Sequence, residues 1–167
     1  MTPAINEKRM VQLFCDLARI TSLSGKEGAV ARRLSILLKF MGAEVTIDDA
    51  GRKIGGETGN LVARFPGTAP AEPFLLSAHM DTVGPADNVR PVVTKDRIAS
   101  DGTTILGADC KAGIAIILEV IKTLDDNKIP RPPIEAVFTI SEEMALMGAK
   151  YLDYAALRSR YGLIFDN

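Results

Sequence analysis

An α/β fold is predicted for this chain: a three-layer sandwich with a mostly parallel central sheet and helices on both faces. Three observations predict it. Segments of strand character alternate with segments of helical periodicity along the 167 residues. Two of the strand-like segments, 74–78 and 134–140, are nearly continuous apolar runs, as expected of strands buried on both faces. Ionisable residues follow these runs at once, where open α/β sheets gather their functional groups.

The first 40 residues read as two helices. Pro3 suits a first helical turn, where its missing N–H costs nothing. Met10, Phe14, Leu17 and Ala18 then recur on one face. Residues 21–25 break the pattern. Ser24 followed by Glu27 fits a capping box, in which the Ser oxygen takes a free N–H and the Glu reaches back. The helix that follows carries Val30, Leu34, Leu37 and Leu38 inward, and Gly42 stops it with a left-handed cap. Short strands are expected at 44–47 and at 60–65, the latter after a glycine-rich turn. Residues 74–78 form a central strand and 89–99 a hairpin around Lys95-Asp96. An apolar helix spans 113–124, and Pro130, Pro132 and Pro133 mark the loop before the strand 134–140. Residues 145–160 are helical in character, and 162–165 form a last strand.

The composition excludes several classes. Hydrophobic residues make up 47% and charged residues 25%, which is ordinary globular usage. Twenty basic residues against 21 acidic give a net charge of -1, with no basic excess for a phosphate backbone, so nucleic acid is not expected. The apolar stretch around Ala115–Leu118 ends at Glu119, too short for a membrane span. The start of the chain does not read as a signal peptide. Two cysteines make no disulfide framework, and a cytoplasmic protein is expected. Cys15, on an apolar helix face, reads as core.

One imidazole and five carboxylates fall at four presumed strand ends: His79 and Asp81, Asp109, Glu142 and Glu143, and Asp166. His79 and Asp81 are two apart, and a neutral imidazole binds zinc through one nitrogen while a carboxylate holds the other N–H. Taken alone, His79 equally reads as a strand-end residue, Asp109 as the N-cap of the next helix, and Glu142-Glu143 as a solvated helix start. The functional alternative divides the last pair: one carboxylate binds metal while the other exchanges protons. Cys110 adds two alternatives, a thiolate ligand for zinc or a nucleophile paired with His79. Gly102 and Gly107 have the spacing of a P-loop's glycines, but Ala108 stands where that motif needs Lys, so no nucleotide site is read there.

The order of motifs resembles the M20 metallopeptidase family, in its tripeptidase T-like branch. The stretches are Ser77-Ala78-His79-Met80-Asp81-Thr82-Val83, the run from Ser100 to Asp109, Lys111-Ala112-Gly113, Ser141-Glu142-Glu143 with Gly148-Ala149-Lys150, and Phe165-Asp166. The resemblance implies a zinc-exopeptidase-like fold and a two-zinc aminopeptidase that hydrolyses short peptides with a metal-activated water. It implies that His79, Asp109 and Asp166 hold one zinc, that Asp109 bridges to a second also bound by Glu143, that Glu142 is general base and acid, and that Asp81 orients His79. It further implies a cis peptide at Asp109–Cys110.

Two departures stand out. Cys110 replaces the acid or amide that usually follows the bridging Asp. The chain is also short for the family, whose members insert a second, dimerising domain and return with a distal His. Residues 1–167 therefore read as the N-terminal portion of a catalytic domain, one tight zinc site is expected, and little or no activity is expected of the chain alone. An N-acyl amino acid amidohydrolase of the same superfamily and a non-catalytic metal-binding fragment are the alternatives.

Overall fold

The computed structural model describes residues 4–166. Pro3 lies outside them.

Two helices open the fold. α1 (Glu7–Ala18) is capped by Asn6, whose side chain accepts the N–H of Arg9. α2 (Gly28–Phe40) ends at Met41 and Gly42, with φ of 91° at the glycine. There the N–H groups of Gly42 and Ala43 bond back to Lys39 and Leu38, closing the last turn as the glycine anticipated. The capping box does not form. Ser24 Oγ and the Glu27 carboxyl both find partners far away in sequence, and Glu27 itself is the N-cap residue without a side-chain cap bond.

The main sheet contains β1 (Glu44–Ile47), β2 (Leu61–Phe65), β3 (Phe74–His79), β6 (Ile134–Thr139) and β7 (Gly162–Ile164), in the order β1-β2-β6-β3-β7. β6, β3 and β7 run parallel, whereas β1 and β2 join antiparallel, so the sheet is mixed. β4 (Pro91–Val93) and β5 (Ile98–Ser100) form the expected hairpin. A short α3 (Ala50–Ile54), unannounced by the apolar pattern, ends in left-handed Gly55.

Alternate residues of the strands face one core. Leu61, Ala63, Ala78, Ala136 and Phe138 pack with Leu17 of α1, Leu34 and Leu38 of α2, and Ile114, Ile117 and Ile121 of α4 (Ala108–Asp126). All three long helices therefore cover the same face. Cys15 lies in a neighbouring cluster with Phe14 and Ala18, as expected of a core thiol, and both cysteines are free.

The other face is closed differently from the expected helix over 145–160. Only α5 (Met147–Lys150) and a 3₁₀ turn (Tyr154–Ala156) form. Leu146 is left-handed, with φ of 60°. Glu135, pointing from β6 to this face, accepts the N–H groups of Arg158 and Ser159 and the Ser159 hydroxyl, and pairs with Arg64 at 3.1 Å. That buried carboxylate draws out backbone donors that a helix would have kept.

Candidate metal centre

Parallel pairing explains why the site assembles. β3 and β6 are in register from Phe74↔Ile134 to His79↔Thr139, and β7 pairs with β3 on the other side. The C-terminal ends of all three strands thus reach one edge. His79 is the last residue of β3, Ser141-Glu142-Glu143 follows β6, and Phe165-Asp166 follows β7. Asp109 comes by another route. No strand precedes it; residues 101–107 are a loop after β5, and Asp109 sits in the irregular first turn of α4. It caps no helix with its side chain.

His79 is buried at the centre. Its Nε2 lies 3.0 Å from Asp109 Oδ1, 3.8 Å from Asp166 Oδ1 and 3.9 Å from Glu142 Oε2. Its Nδ1 lies 2.9 Å from the carbonyl oxygen of Asp81 and 3.4 Å from the Asp81 carboxylate. A carbonyl can only accept, so Nδ1 carries a proton; Nε2 donates a second proton to Asp109 while the ring is charged, and losing that proton turns its lone pair toward the acids. Burial works against charge on the ring, but the carboxylates of Asp81 and Asp109 outweigh it and push the pKa up to about 9. The centre is thus short of positive charge, and His79 meets that need by protonation when no cation is there.

Asp81 is fully buried, and its position is explained less by His79 than by the turn after β6. Its carboxylate accepts the Ser24 hydroxyl at 2.7 Å and the N–H groups of Glu142 and Glu143 at 2.9 and 3.1 Å. Burial alone would raise its pKa. The bonds from His79, Ser24 and the two N–H groups hold it below the ordinary value. Glu142 and Glu143 are shifted the other way, first by burial and then by the neighbouring acids, with His79 opposing.

Ligand atoms of His79, Asp109 and Cys110 lie within 4.8 Å of one another, and so do those of His79, Glu142 and Glu143. These nitrogen and oxygen donors suit a divalent cation. Cys110 is buried, and burial pushes its thiol up to about 11. Its Sγ donates to the Phe165 carbonyl at 2.8 Å, which ties the start of α4 to the residue before Asp166. The Asp109–Cys110 peptide is cis, as the family resemblance implied. A cleft of about 540 Å³ opens beside the acids, with Val83, Ile105, Leu106, Ile116 and Phe165 on its apolar side and Asp109, Glu143 and Asp166 on its polar side.

Ser24, Glu27 and Lys111 are polar residues at or near this centre to which sequence reasoning gave no role in it. Ser24 and Glu27 looked like a local cap because their spacing is that of one. Lys111 is fully buried, donates to the Ile20 carbonyl at 2.6 Å, and is lowered to about 8 by burial.

The chain is similar in sequence and fold to known peptidases. The sequence model for peptidase family M28 matches residues 60–165. The uncharacterized protein YqjE of Bacillus subtilis is 38% identical over 98% of this chain and 44% of its own length. A tripeptidase from Staphylococcus aureus superposes with a TM-score of 0.94 at 40% identity, again over 98% of this chain and 44% of that one. Aminopeptidase PepT from Bacillus cereus does so with a TM-score of 0.95 at 37% identity, with the same coverage. The chain therefore spans less than half the length of these relatives. The match over 60–165, which contains all the clustered acids except Asp166, shows that the chain belongs to peptidase family M28, and its sequence and fold are similar to those of the tripeptidase and aminopeptidase PepT structures.

Proposed function

We propose that this chain carries the zinc-binding part of a catalytic domain that hydrolyses short peptides, tripeptides foremost. One observation carries the reading: Nε2 of buried His79 faces oxygens of Asp109, Asp166 and Glu142 within 3.9 Å, while Nδ1 is held by Asp81. A buried imidazole that the surrounding acids drive to hold an extra proton marks a place for a cation, and a metal ion there displaces that proton. His79, Asp109 and Asp166 would hold the first zinc, and Asp109 with Glu143 a second. When bound, zinc polarises a peptide carbonyl and makes water a better nucleophile at neutral pH.

The chain's own residues supply the rest. Glu142, half-buried beside His79, takes a proton from the attacking water and returns it to the leaving amine. Asp81 holds the ring of His79 through its carbonyl and carboxylate, and holds Glu142 through its N–H. The cleft's apolar side accepts peptide side chains while its acids face the scissile bond. The names of the tripeptidase and aminopeptidase neighbours support the same substrate class.

The test is hydrolysis of a tripeptide panel and of N-acyl amino acids by the metal-stripped chain with zinc restored. Zinc-dependent release of the N-terminal residue from tripeptides supports the reading. Cleavage of N-acyl amino acids alone would replace it with an amidohydrolase. Zinc binding without cleavage of either would leave a metal-binding role.

A further inference from the structure

We propose that Glu27 is a positioning residue for the Glu142–Glu143 pair, acting through Ser141; what the pair does rests on the hydrolase reading above. Glu27 is fully buried at the N-cap of α2, yet makes no side-chain bond to the first turn of that helix. Its Oε1 accepts the N–H of Gly25 at 2.9 Å, the N–H of Ser141 at 2.9 Å and the hydroxyl of Ser141 at 3.2 Å. Its Oε2 has no hydrogen-bond partner among the described residues. Burying a carboxyl with one oxygen unsatisfied costs free energy, and a helix cap at the surface would avoid that cost.

The position is explained by the turn it holds. Three successive N–H groups, those of Ser141, Glu142 and Glu143, end on two buried carboxyls, the first on Glu27 and the others on Asp81. Ser141 has φ of 48°, in the left-handed region, which a residue with a side chain keeps only when its surroundings over-determine it. Glu27 provides that constraint, since both donors of Ser141 end on the same oxygen. With Ser141 held, the chain leaves β6 in one direction and brings Glu142 and Glu143 toward His79. Without Glu27, Ser141 is free to relax to a more common φ, and the pair turns with it.

Amide hydrogen exchange by NMR on the isotope-labelled chain tests this with wild type, Glu27→Gln, Glu27→Ala and Ser141→Ala. In Glu27→Ala, exchange at Ser141, Glu142 and Glu143 should quicken about tenfold or more, while β3 and α4 keep their rates. Glu27→Gln retains an acceptor and should stay within about threefold of wild type. Ser141→Ala removes one donor and should give a smaller rise at the same amides. In parallel, all variants should keep the affinity of the tight zinc site. Tripeptide kcat should fall roughly a hundredfold in Glu27→Ala with KM little changed, and return in Glu27→Gln. Unchanged exchange at the three amides, a uniform rise across the sheet, or a Gln variant as impaired as Ala would overturn the proposal. If the wild-type chain binds no zinc and cleaves no peptide, the hydrolase reading fails, while the exchange rates still decide whether Glu27 holds the turn.

Discussion

The Asp81 carboxylate accepts the backbone N–H of Glu142 at 2.9 Å across 61 residues of chain. One buried acid thereby links the end of β3 to the turn after β6, and the histidine to the glutamates.

Asp81→Ala should accordingly do two kinds of damage. It strands the Ser24 hydroxyl and two N–H groups, so unfolding free energy should fall by about 1–3 kcal/mol in a urea titration. It also removes the carboxylate 3.4 Å from His79 Nδ1 and leaves only the backbone carbonyl on the ring, so zinc affinity should drop roughly tenfold. A variant with wild-type zinc affinity would show that Asp81 does not orient the ligand.

Gly148 packs where no side chain fits. A Cβ there would lie 2.1 Å from the Ile140 carbonyl oxygen and 2.6 Å from Asn60 Oδ1. Those atoms hold the chain just before Ser141: the N–H of Ile140 donates to Asn60 Oδ1, and Asn60 Nδ2 donates to the Gly148 carbonyl. Gly148→Ala should cost about 1–3 kcal/mol and lower hydrolysis by displacing the turn. Thermal unfolding and tripeptide kinetics check both parts.

Acid should weaken the fold through two remote glutamates. Burial alone would raise Glu119, but Arg9, the N–H of Asn6 and Thr123 hold it below 4.5. Burial likewise opposes Glu135, and Ser159, Arg158 and Arg64 hold it below 4.5. A carboxyl with a lowered folded pKa contributes stability that is full above its unfolded value and is lost as pH falls through the folded one. The share of the urea midpoint owed to these two groups should therefore be full at neutral pH and decline below about pH 4.5. Glu119→Gln and Glu135→Gln should each lower the midpoint at pH 7 and flatten that decline.

Much of this was legible in the chain before any coordinates. The runs at 74–78 and 134–140 marked the central parallel pair because strands buried on both faces lose the alternation of a half-exposed strand. His79 and Glu142-Glu143 followed from those runs. Asp109 was found on a wrong premise, since a loop and not a strand delivers it; the motif located it where the local pattern did not. Residues 145–160 misled because helical propensity there is overridden by Glu135, a tertiary partner that no local window contains. Ser24 and Glu27 misled for the same reason: a capping-box spacing is local, whereas their partners Asp81 and Ser141 are 57 and 114 residues away.

His79 and Glu142 should separate binding from catalysis. His79→Ala removes the central nitrogen and should abolish tight zinc binding. Glu142→Ala should leave zinc bound and reduce tripeptide turnover by about a hundredfold or more, as loss of a general base does. Equal loss of zinc in both variants would make Glu142 a ligand and not a proton carrier.

Calorimetric titration of the metal-free chain with zinc tests the central claim most directly. One tight site per chain is expected, built on His79, Asp109 and Asp166 and absent in His79→Ala, with a second zinc bound far more weakly at Asp109 and Glu143. No tight site, or one that survives His79→Ala, would contradict it.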